Sequence, residues 1–371
     1  MLLSKCRCCG SGLVEKQDTR KAFPLFIWPL RHGVSSRLVD ISLYVCNECG
    51  YIQLQDLSER EISEIYGDEV YNIENPLQNR KRYGLITEDD QNKFNDARVL
   101  EVGGGRNSFL DLLPSNAEKW VSDFDVNDDV LKSADGALIG DFIDVDCRDI
   151  LFDYIFLFHV LEHFNYPDLA LRKIRNLLNS NGKLVLEVPN FAHEVLYIPY
   201  YTLFHMHVSL FTEDSLMLIL KKYGFELTKI YAKGSVLLAE FSAADFKRDI
   251  KHIKSSLEHV GHLKANIALY SSRIEEYFYG KNFSKIAIFG GGGSTTLFLY
   301  NFPFLIGLIS VALDNDARKH GKYLCNGRIL VGSLVEIERM GIDDVIVLEE
   351  EHIKCLSNET VNCINIRELV S

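Results

Sequence analysis

Two cysteine pairs with the same spacing, Cys6-x-x-Cys9-Gly10 and Cys46-x-x-Cys49-Gly50, carry the most specific chemistry in this sequence. A two-residue spacer lets both thiolates of a pair reach one ion, and the glycine that follows permits the turn that aims backbone N–H groups at sulfur. Two such pairs complete a closed tetrahedral thiolate site. Structural Zn2+ is therefore expected on Cys6, Cys9, Cys46 and Cys49, with Cys8 able to stand in for Cys6 or Cys9. Such a metal stabilises a small domain that buries too little apolar surface alone.

A second cluster is built on glycine. Glu101-Val102-Gly103-Gly104-Gly105-Arg106-Asn107 follows a strand and precedes the apolar stretch Phe109 to Leu113, expected to be a helix. Small residues at 103 and 105 let the backbone pass close to a ligand at a helix N-terminus. Nucleotide and flavin folds share such a turn, so three further features sharpen it. Asp125 follows about twenty positions later, at the end of the second strand, where a carboxylate accepts from both ribose hydroxyls; Asp123 is the less favoured alternative. Gly140-Asp141-Phe142 follows the third strand, where Asp141 can accept from an adenine amino group while Phe142 packs on the ring. The fourth strand, Phe152-Asp153-Tyr154-Ile155-Phe156-Leu157-Phe158, runs into His159-Val160-Leu161-Glu162-His163. The expected cofactor-side residues are Glu101, Gly103, Gly105, Asn107, Asp125, Asp141, Phe142 and His159.

The third cluster is histidine-rich: Phe204-His205-Met206-His207-Val208-Ser209-Leu210-Phe211-Thr212 follows the fifth strand, where the substrate loops of an open α/β sheet belong. A histidine titrates near neutrality and can take a proton from a hydroxyl or from a carbon beside a carbonyl. His207, His163 and His205 are the candidate bases. Packing or capping is the competing role for His205 and His207.

The elements that must position these groups are short apolar strands alternating with helices from Arg98 onward, which indicates a mostly parallel sheet covered on both faces. A long amphipathic helix is expected over 243–280, with Phe246, Ile250, Ile253, Leu257, Val260 and Leu263 in one stripe. A second α/β unit then opens at Ile286-Ala287-Ile288-Phe289 and four glycines, Gly290 to Gly293. The expected architecture is α/β: a zinc-binding domain over 1–70, a Rossmann-like domain over 71–240, and a helix plus a second Rossmann-like domain over 241–371.

The glycine turn and the order of the acidic residues after it resemble class I S-adenosylmethionine-dependent methyltransferases over about residues 97–230. Asn107 stands where that family's turn has its last glycine. The overall layout, with its paired CxxC motif and second α/β domain, further resembles the deoxysugar C-methyltransferases. Their Y-H-E-H-x-S-Y-F loop corresponds to Phe204-His205-Met206-His207-Val208-Ser209-Leu210-Phe211, with Phe204 and Met206 in place of its Tyr and Glu. The resemblance implies that His163 is an active-site histidine and that Tyr71 lies beside the substrate, with Tyr66 as its alternative. It also matches Asp314-Asn315, Lys319 and Gly321-Lys322-Tyr323-Leu324 to a segment of the family's C-terminal domain, with Cys325-Asn326 replacing Pro-Gly. The implied activity is methyl transfer from S-adenosylmethionine to a carbon of a nucleotide-linked keto sugar, with O-methylation of a sugar or other small metabolite as the alternative. A binding protein without turnover and a nicotinamide-dependent oxidoreductase are the remaining readings.

Composition narrows the partners. The 371 residues are 47% hydrophobic and 25% charged, with a formal net charge of −12 and no long basic run. That argues against nucleic acid, whose sequence-independent binding needs clustered Lys and Arg. The first ten residues, MLLSKCRCCG, lack the apolar core of a signal peptide, so a cytoplasmic protein with reduced thiols is expected. Residues 295–313 are free of charge, yet Asn301, Pro303 and Gly307 interrupt them. A buried helix, a turn and a buried strand are expected there rather than a membrane span.

Overall fold

The computed structural model describes residues 5–66, 76–147, 150–245, 252–281, 283–357 and 359–371. Three sheets organise them. The first begins with β1 (Val14–Pro24), β2 (Leu38–Cys46) and β3 (Ile52–Leu54), paired antiparallel in that order. The two cysteine knuckles lie at its end, where Val14 pairs with Cys46.

The second sheet holds β4 (Arg98–Val102), β5 (Glu118–Asp123), β6 (Gly136–Ile139), β7 (Phe152–Phe158) and β8 (Leu178–Pro189), all in parallel pairs. A two-residue strand, β9 (Ser209–Leu210), leaves this unit and pairs with β3 of the first sheet. Then β10 (Phe225–Lys233) and β11 (Val236–Ala243) return, giving the order β10-β11-β8-β7-β4-β5-β6 with β11 antiparallel to both neighbours. The middle strands are apolar runs because both faces are covered; Leu100, Ile155, Phe156, Leu184 and Leu186 are fully buried. Chain order reverses between β4 and β7, and the crevice outside the carboxyl ends at such a switch point is where this class of sheet binds ligands.

The third sheet comprises β12 (Ile286–Phe289), β13 (Ile309–Leu313), β14 (Tyr323–Leu324), β15 (Ile329–Gly332), β16 (Asp344–Val347) and β17 (Asn362–Asn365), in the order β14-β15-β13-β12-β16-β17. Only the β14–β15 pair is antiparallel. Residues 295–313 form most of helix Gly293–Asn301, the turn Pro303–Gly307 and β13, as their interruptions require. No described helix is long and apolar enough to cross a membrane.

Two expectations are corrected. The stretch after the glycine turn makes only a 3-10 turn, Leu110–Leu112, because Pro114 stops a helix before it can form. The long helix is shorter than its sequence suggests, spanning Ser256–Phe278. Its buried stripe is Val260, Leu263, Ile267, Tyr270, Ile274 and Phe278. Leu257 points outward at 59% exposure, and Ile253 precedes the helix to pack on the second knuckle, its N–H donating to Cys49 O at 3.0 Å. Phe246 and Ile250 lie outside the described residues.

The three sheets interlock. Leu30 and Tyr323 exchange backbone hydrogen bonds of 2.8 and 2.7 Å, tying the loop after β1 to β14. Beside them the Asn326 amide accepts from Ser36 N–H at 2.8 Å and donates to Ser36 O at 3.0 Å. The Asn326 side chain alone thus supplies a two-way clasp.

Candidate functional site

The sulfurs of Cys6, Cys9, Cys46 and Cys49 all lie within 4.8 Å of one another, with Cys6–Cys49 at 3.6 Å and Cys9–Cys46 at 3.5 Å. Gly10 and Gly50 hold φ of +79° and +76°, the left-handed turn each knuckle needs. Cys8 is buried outside this quartet, with its carbonyl accepting from Lys222 Nζ at 2.6 Å. Four converging sulfurs fit a tetrahedral zinc ion. Between the first pair, Arg7 turns its guanidinium inward. It donates to Leu54 O (2.8 Å), Val208 O (2.9 Å) and Asn165 O (3.2 Å), and pairs with Asp56 at 2.6 Å. The knuckle is thereby bonded directly to the histidine loop.

At the glycine turn, Glu101 is buried and accepts from the Ser108 hydroxyl (2.6 Å) and the Phe109 N–H (2.9 Å). Burial pushes its carboxyl up to about 7. Gly103 has φ +82°, and a Cβ there would lie 2.3 Å from the Val160 side chain; at Gly105 it would lie 2.1 Å from Asp125 O. Both positions therefore exclude side chains. Asp123 spends its carboxylate on the N–H groups of Gly105 (2.9 Å) and Phe124 (2.7 Å). Asp125 faces outward at the rim and pairs with Arg106. Asn107 is held by the Asn79 amide, at 3.1 Å from its carbonyl. Asp141 is exposed and accepts from Ile143 N–H at 2.8 Å, whereas Phe142 is buried against Phe164 with the Lys173 ammonium 5.2 Å over its ring.

The carboxyl end of β7 gathers the titratable groups. His159, at φ +56°, places Nε2 2.8 Å from Glu187 Oε1 and Nδ1 3.3 Å from Glu162 Oε1. Burial alone would lower its pKa, but the two carboxylates outweigh that and raise it to about 9. Burial likewise opposes ionisation of Glu187, yet His159 and Arg82 hold it down at about 2. Arg82 Nε lies 3.0 Å from Glu187, and Arg82 Nη1 is 2.7 Å from Asn79 Oδ1, so one polar chain runs from the glycine turn to His159.

His163 and His207 meet edge to face with ring centroids 5.0 Å apart. Their Nε2 atoms lie 4.0 and 3.9 Å from Glu162 Oε1. His163 Nδ1 is 3.0 Å from Met206 O and 3.3 Å from Tyr66 Oη. Because the carbonyl only accepts, Nδ1 carries the proton and Nε2 keeps its lone pair. Burial lowers both histidines, His207 well below its ordinary range, so both are neutral imidazoles. Tyr66 also stacks on Phe124 at 5.8 Å, joining the rim beside Asp125 to His163. Tyr71 lies outside the described residues.

His205 does not join this group. The chain turns here, with His207 N–H donating to Phe204 O at 3.2 Å, and His205 is buried beside the backbone of Phe23 and Val39, where desolvation lowers it to about 4. Phe204 packs against His207 with tilted rings, centroids 4.0 Å apart. Sequence reasoning passed over Glu162, Glu187, Glu194 and Arg82. A glutamate inside the buried strand Leu184-Val185-Leu186-Glu187-Val188 was the available signal, since such a charge needs a partner. Glu194 is buried near His159 and Glu162, and desolvation raises its carboxyl to about 8.

In the third sheet Gly290 has φ +107°, Gly291 N–H donates to Asp314 Oδ2 at 2.7 Å, and Lys319 Nζ reaches the same oxygen at 2.8 Å. Tyr200 packs edge to face on Phe298 of that domain, ring centroids 5.2 Å apart, and its carbonyl accepts from the Asn301 amide at 3.1 Å.

Residues 72–230 match the model of a family described as a methyltransferase domain. The chain carries a class I S-adenosylmethionine-dependent methyltransferase domain. Solved structures similar to the chain include an S-adenosylmethionine-dependent methyltransferase from Clostridium acetobutylicum, 10% identical, covering 50% of this chain and 99% of its own, with a TM-score of 0.38. Another is the CcbJ methyltransferase from Streptomyces caelestis, 15% identical, covering 50% and 96%, with a TM-score of 0.35. A TehB-like methyltransferase from Corynebacterium glutamicum is 16% identical, covering 46% and 100%, with a TM-score of 0.32. No curated protein matches the sequence. In the methyltransferase domain, S-adenosylmethionine fits the crevice by its donors: Asp125 and Asp141 present outward carboxylates beyond β5 and β6, and the glycine turn keeps side chains out of the way.

Proposed function

We propose that the protein methylates a nucleotide-linked sugar at a carbon beside a keto group, with His207 as the base. The observation that carries this reading is the pairing of two neutral imidazoles, His207 and His163, beyond the carboxyl end of β7. When bound, S-adenosylmethionine supplies an electrophilic methyl group. The protein's own part is to align the acceptor, take its proton on His207 and stabilise the oxyanion that forms. The Tyr66 hydroxyl beside His163 is the donor for that oxygen. The turn at residues 290–293, with Lys319, would hold the nucleotide's phosphates, since backbone N–H groups and an ammonium suit an anion. Asp125 would hold the cofactor's ribose, and the four knuckle cysteines a structural zinc.

One observation favours O-methylation as a second reading. Phe204 and Met206 are apolar and buried, so fewer polar groups remain for an enolate. A hydroxyl acceptor needs only the base.

Incubating the protein with S-adenosylmethionine and a panel of nucleotide-linked keto and hydroxy sugars tests the reading. A new carbon-bound methyl in the product NMR spectrum is expected. An oxygen-bound methyl selects the second reading, and cofactor binding without transfer to any sugar removes both.

A further inference from the structure

The three groups at the carboxyl end of β7 have a second capability. One donor atom each from Glu162, His163 and His207 lies within 4.8 Å of both others. The centre of such a triangle is about 2.5 Å from each atom, against zinc–nitrogen and zinc–oxygen bonds of roughly 2.0–2.2 Å, so a small contraction closes the site. We propose that Glu162, His163 and His207 form a binding site for a divalent transition-metal ion, separate from the four-cysteine site.

Two observations besides proximity support it. Glu162 is 1% exposed, and neither of its oxygens completes a hydrogen bond. The protonated His159 ring meets Oε1 at 3.3 Å, the oxygen that His163 and His207 also face, and leaves Oε2 buried with no partner. A buried carboxylate oxygen in that state is costly unless something positive meets it. Second, the bond between His163 Nδ1 and Met206 O fixes the tautomer and aims the Nε2 lone pair at Glu162, the arrangement that orients a metal-bound histidine from behind. Two neutral imidazoles and one carboxylate suit zinc, iron or cobalt rather than calcium or magnesium. Three protein ligands leave a coordination position open, as in sites that meet an outside ligand and unlike the closed thiolate quartet.

Ion binding does not depend on methyl transfer. One consequence does rest on the function proposed above: an ion on His207 occupies the lone pair a base needs, so the occupied site is a silenced one.

Cobalt(II) is the probe, added to the full-length protein after metal removal. Two equivalents are expected. One shows sulfur-to-cobalt charge-transfer bands, and one shows only the weaker bands of nitrogen and oxygen ligands. Glu162→Gln should lose the second equivalent at least tenfold more readily and keep the thiolate bands, which also report that the chain is folded. X-ray absorption of the wild-type protein, which needs no variant, should show nitrogen and oxygen neighbours beside the sulfur shell. A single equivalent with an all-sulfur shell, or two unchanged equivalents in Glu162→Gln, overturns the proposal whether or not any sugar is methylated.

Discussion

His159 Nε2 lies 2.8 Å from Glu187 Oε1, and Arg82 reaches the same oxygen from the other side with Nε at 3.0 Å. One strand carboxylate thus holds two cations within the domain that matches known methyltransferases. Arg82 and Glu187 are almost completely buried. Removing Arg82 would leave that carboxylate with His159 alone, so the cost falls below the about 3–5 kcal/mol of a buried charge left with no partner. Arg82→Met should therefore lower the unfolding free energy by about 2–3 kcal/mol, as read by urea denaturation. A loss below about 1 kcal/mol would show that the pair is far more solvated than its geometry implies.

The same groups set the response to pH. The folded pKa of His159 is raised to about 9, so its stabilisation is complete below its ordinary value near 6.5 and is lost as pH rises through 9. The ring side chain is 32% exposed, so about 2 kcal/mol is a suitable discounted magnitude. Glu187 is depressed to about 2, and its contribution is present above about 4.5 and lost as pH falls through 2. Glu194 acts in the other direction: raised to about 8, it withdraws stability as pH climbs from about 4.5 to 8, because the unfolded chain ionises first. Melting temperature should fall steadily from pH 6 to 9.5. Glu194→Gln should flatten the first part of that slope and leave the part near pH 9 intact.

Catalysis gives a sharper test of the histidine loop. His207→Ala should reduce methyl transfer by at least 100-fold, the lower range for a lost general base, while S-adenosylmethionine affinity by calorimetry stays within a factor of about two. His205→Ala should leave the rate within about threefold at moderate temperature, because His205 faces Phe23 and Val39 instead of the crevice. Equal losses in both variants would mean that the loop acts through packing alone.

Much of this was legible from spacing. The cysteine knuckles announce themselves because two thiolates of one pair must reach a common point, and the glycine turn because Gly103 and Gly105 sit where a Cβ would strike Val160 and Asp125. Phe109 to Leu113 misled because an apolar run cannot by itself tell a helix from a short turn, and Pro114 decided the matter. Periodicity also put Leu257 on the buried stripe, although the helix begins only at Ser256 and the stripe at Val260. The loop histidines looked equivalent in sequence. Their separation follows from the turn that His207 N–H closes on Phe204 O at 3.2 Å, which spacing alone does not announce. Glu162 could not be read at all as a convergence point, since His163 and His207 meet it only through the fold.

The last expectation concerns the route from the metal knuckle to that loop. Arg7 sits between Cys6 and Cys9 and donates to Val208 O, one residue from His207, while Leu54 N–H donates to the same carbonyl at 2.9 Å. With zinc bound as proposed, its loss would free the knuckle turn, and the Arg7 bonds to Leu54, Val208 and Asn165 would lose their fixed geometry with it. Chelation, or Cys46→Ser, should therefore speed amide hydrogen exchange in β3 and β9 by at least tenfold, with little change in the parallel strands β4 and β7. Arg7→Gln should reproduce faster exchange in β9 while keeping the metal, because it removes the bonds and not the ligands. Unchanged exchange in β9 after metal removal would show that the histidine loop is held by its own sheet partners and that the knuckle is a bystander.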